Sequence, residues 1–229
     1  MKISPIGIGN FTNLQNNRIP VSGSYCANHL AFRGVQGDTF ARMGTQEYLD
    51  KNVRVLYSER KVKKEIKRVA KEINKAYGTK EDLVLVCVLK GAAKFHTELA
   101  RHLKMPVTME YIRASSYKGK TKSSGYVQLG DTKMNVEGKN VLIVEDIVDS
   151  GRTMTKIFED FRENKKAKSI KLATLLNKKG ARPEGHIEPD FNALNIKEGQ
   201  FIMGYGLDNE EYYRNLPYIG ILINDQASE

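Results

Sequence analysis

Residues 140–154 read Asn140-Val141-Leu142-Ile143-Val144-Glu145-Asp146-Ile147-Val148-Asp149-Ser150-Gly151-Arg152-Thr153-Met154. The segment opens on a continuous apolar run, which suits a strand buried on both faces of a parallel sheet. Two carboxylates, Glu145 and Asp146, stand where that strand should end. A turn of small and polar residues follows, and Met154, Ile157, Phe158 and Phe161 then supply the apolar stripe of a helix. Open α/β sheets bind ligands at the carboxyl ends of their strands. A Ser-Gly turn entering a helix offers an anion backbone N–H groups and the positive end of a dipole. Carboxylates repel such an anion, so a divalent cation or sugar hydroxyls would be needed to explain them. The plainer reading is a strand, an N-cap and a helix, with acids that merely favour the helix dipole.

Outward from this segment the pattern repeats. Leu83–Leu89 is a second buried strand, followed by Lys90-Gly91-Ala92-Ala93-Lys94-Phe95 and a helix running to about Leu103. This is either a plain βα loop or a second anion site facing the first. Before it, Val62, Ile66, Val69 and Ile73 recur at three and four, which predicts a helix from Ser58 to Gly78, capped at its start by Ser58 and at its end by Gly78. Strands are expected at 53–57, Val107–Arg113, Ile170–Leu176 and Tyr218–Ile223. Residues 114–131, rich in Ser, Lys and Gly, read as one long loop, either a lid or a plain connection.

The chain has 229 residues, enough for one large α/β domain with a small appendage. Apolar residues make up 40% and charged residues 28%, which excludes a disordered chain. No apolar stretch is long enough to span a bilayer, and MKISPIGIGNF lacks the continuous apolar core of a signal peptide. Cys26 and Cys87 form neither a disulfide framework nor a zinc site, so a cytoplasmic location is expected. The net charge of +10 admits nucleic acid as a partner, but much of the excess lies in residues 54–80, where a solvated helix face is the simpler reading. Residues 1–45 show no sustained period. The chain therefore divides into an irregular extension, 1–52, and a domain, 53–229.

VLIVEDIVDSGRT closely resembles the phosphoribosyl-diphosphate (PRPP) binding motif of type I phosphoribosyltransferases. VCVLKGAAKF resembles the pyrophosphate loop of the hypoxanthine-guanine members, in which the bond before the lysine, here Leu89–Lys90, is cis. Ala92 departs mildly from the Gly or Ser of many relatives. Ser116-Tyr117 resembles the pair on that family's mobile lid, and LLNKK its purine-reading segment. Pro189-Asp190-Phe191 and Gly199–Asp208 resemble its base-binding hood, with Asn209 where relatives often carry Tyr. The likeness spans roughly residues 53–225.

The resemblance implies an α/β type I phosphoribosyltransferase fold, a mainly parallel sheet flanked by helices with a small hood built from both chain ends. It implies purine salvage: PRPP and hypoxanthine or guanine give IMP or GMP and pyrophosphate, with Mg²⁺ as cofactor, in a homo-oligomer (dimer or tetramer). By residue, it makes Asp149 the catalytic acid–base. Asp149, Ser150, Gly151, Arg152 and Thr153 cradle the 5′-phosphate. Glu145 and Asp146 serve the ribose hydroxyls and Mg²⁺, and Lys90, Gly91 and Arg214 face pyrophosphate. Lys178, Phe201, Ile202 and Asp208 meet the purine, and Asp208 also lies near a second Mg²⁺. The rival reading is a regulator of the same fold that binds PRPP or nucleotides and reads nucleic acid. The basic helix suits it, but the catalytic acid, hood and lid pair favour the enzyme, and a nucleic-acid partner is not expected.

Overall fold

The computed structural model describes residues 46–116, 127–129, 134–149, 151–178, 187–197 and 199–223. The extension up to residue 45, Tyr117 and Ser150 lie outside these. Along the chain come α1 (Gln46–Asn52), β1 (Val53–Tyr57), α2 (Glu59–Tyr77), β2 (Leu83–Leu89), α3 (Ala93–Ala100), β3 (Val107–Ser116) and β4 (Val127–Leu129). Then follow β5 (Asn140–Val148), α4 (Arg152–Glu159) with a π-helical turn (Asp160–Asn164), β6 (Ser169–Lys178), β7 (Phe191–Ile196), β8 (Ile202–Met203) and β9 (Ile219–Leu222).

The continuous apolar runs of β2 and β5 feed two cores at once. Side chains of a strand alternate between faces, so Leu83, Leu85, Leu142 and Val144 join Val62, Ile66, Val69, Phe95 and Leu99 of α2 and α3 on one face. Val84, Val86, Val141 and Ile143 meet Met154, Ile157 and Phe161 on the other. A strand covered by helices on both faces has no use for polar alternation. The sheet runs β4-β3-β2-β5-β6-β7; β3, β2, β5, β6 and β7 are parallel, and β4 is antiparallel to β3. From β2 the chain crosses through α3 to β3 on one side; from β5 it crosses through α4 to β6 on the other. The topological switch therefore lies between β2 and β5, where such sheets hold their ligands.

A second, three-stranded antiparallel sheet, β1-β9-β8, joins the first strand of the domain to its last and forms the hood. Its own small core is Leu49, Val53, Met203, Tyr213 and Leu216.

Four expectations are corrected. Residues 46–52 are helical, not part of an irregular extension. A seven-residue helix is not stable alone; α1 is held by Leu49 in the hood core and by Tyr48, whose ring stacks on Tyr213 at 6.3 Å. Residues 114–116 and 127–129 are strand, paired Ala114↔Leu129 to Ser116↔Val127, so the expected loop has a hairpin base. β5 does not stop at Glu145 but runs to Val148, because β6 extends alongside it to Lys178 and pairs with it as far as Val148↔Asn177. Phe191 belongs to β7 in the main sheet, where it pairs with Ala173, and not to the hood.

Candidate active site

β2 pairs with β5 only as far as Cys87↔Val144, whereas β5 continues on β6. Glu145 and Asp146 thus lie just past the point where the two central strands part. There a cleft of about 310 Å³ opens, within the range of small-molecule sites. Lys90 and Gly91 enter it from the β2–α3 loop, Glu145, Asp146 and Asp149 from the end of β5, and Gly151 and Thr153 from the start of α4. Asp208 and Arg214 close it from the hood.

Close backbone approach shapes the floor. A Cβ on Gly91 would overlap the Asp146 carboxylate, and one on Gly206, at φ +108°, would overlap the Gly91 carbonyl. These two glycines let the β2–α3 loop lie between β5 and the hood. The Leu89–Lys90 peptide bond is cis, as the resemblance implies.

The carboxylate pair is electrostatically unsettled. Glu145 is half-buried as a residue, but its Oε2 is fully out of solvent and has no hydrogen-bond partner. Burial, then the neighbouring Asp146 charge, push its carboxyl well above the ordinary range. Asp146 Oδ1 accepts a bond from the Ile147 N–H at 2.7 Å. The same burial, with Glu145 and Asp146 nearby, pushes the Cys87 thiol up to about 12, so it stays inert. A buried acceptor beside a second carboxylate suits a divalent cation or hydroxyl donors. Mg²⁺ commonly takes one or two carboxylates and completes its shell with water and substrate phosphate. Asp208 does not join them: it pairs with Arg214 Nη2 at 2.9 Å on the hood turn. Among the described residues no three acidic, histidine or cysteine side chains gather as a metal cage.

The other site candidates divide. Lys178 Nζ lies 3.2 Å from Asp149 Oδ1, a donor and an acceptor side by side; Asp149 lines the cleft and Lys178 does not. Arg214 also donates through Nη1 to the Gly206 carbonyl at 2.9 Å. Arg152 is exposed and does not line the cleft; nor do Phe201, which is 40% exposed, or Ile202, which is buried in the core shared with α2 and α3. Ser116 ends β3. Two residues carry roles that sequence reading gave them no reason to hold. Glu211 bridges Lys90, at 2.8 Å, and Arg214, at 3.4 Å. Lys94 donates to the carbonyls of Asn215 and Leu216, at 3.1 and 2.9 Å, tying α3 to the Arg214 turn.

A larger open groove, about 840 Å³, follows the exposed face of α2 and shares no residue with the cleft. Lys61–Glu65, Lys63–Glu59 and Arg68 with Glu65 and Glu72 pair along it, as on a solvated helix face.

The chain matches the family described as phosphoribosyl transferase domain over residues 52–210. It is 43% identical, over 180 residues, to the hypoxanthine-guanine phosphoribosyltransferase of Streptococcus pyogenes, covering 77% of this chain and 96% of that one. Among solved structures, a hypoxanthine phosphoribosyltransferase from Staphylococcus aureus superposes with a TM-score of 0.73 at 34% identity, covering 82% of this chain and all of that one. A hypoxanthine-guanine phosphoribosyltransferase from Bacillus anthracis does so at 0.67 and 38%, covering 74% and 97%. The chain belongs to the type I phosphoribosyltransferase family and, within it, to the hypoxanthine-guanine phosphoribosyltransferases, enzymes of purine salvage.

Proposed function

We propose that this cleft transfers the 5-phosphoribosyl group of PRPP to hypoxanthine or guanine, giving IMP or GMP and releasing pyrophosphate. The observation that carries the reading is the Glu145–Asp146 pair at the switch point, with Glu145 Oε2 buried and unpartnered, between the Lys90-Gly91 loop and the start of α4. PRPP has the matching pattern: a phosphate at each end and hydroxyls between. Glu145 and Asp146 accept the ribose hydroxyls. The backbone from Asp149 to Thr153, with Arg152 alongside, holds the 5′-phosphate. Lys90, the Gly91 backbone and Arg214 face the pyrophosphate. Glu145 and Asp146, and at a second position Asp208, would hold Mg²⁺, which would supply charge neutralisation for the leaving group.

The Asp149–Lys178 pair supports the choice of base. An oxopurine presents N7 and O6 on one edge. Lys178 can donate only, which suits O6 and not the amino group of adenine. Asp149 is placed to exchange a proton at N7. Phe201 and the Ile202 backbone serve the base from the hood. A homo-oligomer and a cytoplasmic location rest on the family alone. Among the described residues no helix is long and apolar enough to cross a membrane. The quoted relatives carry the transferase reading and none carries the nucleic-acid-binding one.

Titration calorimetry with PRPP and Mg²⁺ tests this. A Glu145→Gln, Asp146→Asn double variant is expected to bind PRPP more weakly, having lost its acceptors. Equal affinity would leave the pair as a helix-dipole feature.

A further inference from the structure

Lys90 and Arg214, the two side-chain cations at the pyrophosphate end of the cleft, already share an anion. Glu211 Oε2 lies 2.8 Å from Lys90 Nζ and 3.4 Å from Arg214 Nη2. The contact joins residues far apart in sequence and is held from the Glu211 side. The Glu211 N–H donates to Asp208 Oδ2 at 2.9 Å. Glu210, Glu211 and Tyr213 all take positive φ, 50°, 70° and 69°, a conformation that side chains rarely adopt. Such backbone tends to persist where surrounding structure holds a ligand clamp in place. Arg214 is fixed besides by Asp208 and by the Gly206 carbonyl. Lys90 has no such second anchor: Glu211 is its one ion-pair partner among the described residues.

We propose that Glu211 is an internal stand-in for the leaving group. It is a positioning residue: its carboxylate aims Lys90 and Arg214 and must yield them when a phosphate oxygen takes the same two donors. This rests on the assignment of Lys90 and Arg214 to pyrophosphate. One carboxylate oxygen on one ammonium and one guanidinium is the contact set a phosphate oxygen would make. Both anions cannot hold it together, because like charges would stand within hydrogen-bonding distance of the same donors. Glu211 is 63% exposed, so it can swing away. As pyrophosphate departs, the carboxylate returns to its place and discourages rebinding. The residue thereby weakens ground-state binding of PRPP and speeds product release.

Pyrophosphate with Mg²⁺, titrated calorimetrically into wild type, Glu211→Gln and Glu211→Asp, tests the proposal, with KM for PRPP and kcat measured alongside. Glu211→Gln is expected to bind pyrophosphate about two- to five-fold more tightly, the scale of an exposed ion pair. KM for PRPP should fall by a similar factor with kcat unchanged or lower, and Glu211→Asp should restore wild-type affinity. Unchanged or weaker pyrophosphate binding in Glu211→Gln overturns the proposal, since a merely structural glutamate would only lose affinity. If wild type itself does not bind pyrophosphate, the assignment of Lys90 and Arg214 fails, and this inference with it.

Discussion

Helices α2, α3 and α4 begin in two different ways. At α2, away from the cleft, Ser58 supplies a side-chain cap: its hydroxyl accepts from the Lys61 N–H at 3.4 Å. At α3, whose preceding loop lines the cleft, and at α4, whose first turn does, the cap positions are Ala92 and Gly151, neither of which has a side chain able to cap. The first N–H groups of a helix need acceptors from somewhere. α2 finds its own, so its start serves stability. α3 turns back on its own loop, where the Ala93 N–H donates to the Lys90 carbonyl at 3.2 Å, while α4, whose Thr153 and Met154 line the cleft with Gly151, starts without a side-chain cap, so its start is open to binding. Gly151, at φ 75°, takes the left-handed conformation that glycine adopts without strain.

This contrast predicts that changes near the cleft should cost activity more than stability, and that changes at α2 should do the reverse. The largest loss is expected from Asp149→Asn. Removing an acid–base group costs about 10²–10⁴-fold, so kcat should fall by that order while PRPP still binds. An unchanged kcat removes Asp149 from the chemistry. Gly91→Ala comes next. Its Cβ would overlap Asp146, so the loop must shift, and misplacement by about 1 Å can cost on the order of 10²-fold. Steady-state kcat/KM for PRPP, with circular dichroism to check the fold, measures it; wild-type kinetics would mean the loop is not part of the site.

Glu145→Gln sharpens the same opposition in one residue. The Glu145 carboxyl is raised in the folded protein, so the folded state keeps a proton that the unfolded chain gives up. That contribution to stability is full below the ordinary carboxylate value of 4.5 and is lost as the pH climbs toward the raised one. At neutral pH the variant should therefore be more stable than wild type, because Gln brings no charge to the buried position. Denaturant unfolding at pH 4 and pH 7 should show the gain only at the higher pH, with PRPP affinity reduced. A destabilised variant at pH 7 would mean the carboxylate has a partner that stabilises it. The smallest effect belongs to Ser58→Ala: a loss of about 1 kcal/mol in denaturant unfolding, with kcat unchanged. If turnover falls instead, α2 is coupled to the cleft.

Much of the main sheet could be read in advance, for a physical reason. β2 and β5 are buried on both faces, and α2 carries a single apolar stripe, so composition and period alone locate them. The carboxylate pair, the Gly151 turn and Lys90 stand in local strings that resemble a known family. What stayed hidden depends on approach between distant segments. Gly206 against Gly91, Lys94 on the Asn215 and Leu216 carbonyls, and Lys90 with Glu211, 121 positions away, leave no local trace. α1 was hidden because its stability lies in Tyr213 and the hood core rather than in its own seven residues. β5 looked shorter than it is because acidic residues seldom continue a buried strand; here Glu145 pairs with Thr174 along an extended β6.

The transferase reading is tested most directly by kcat/KM for hypoxanthine, guanine, xanthine and adenine with PRPP and Mg²⁺, following pyrophosphate release in wild type and Lys178→Ala. Hypoxanthine and guanine are expected to react, and adenine to react orders of magnitude more slowly, because its amino group leaves the Lys178 donor unpaired. Lys178→Ala should lower kcat/KM for both accepted bases by roughly 1.5–3 kcal/mol. A wild type that prefers adenine, releases no pyrophosphate with any base, or keeps its rates after Lys178→Ala would contradict the assignment of this cleft.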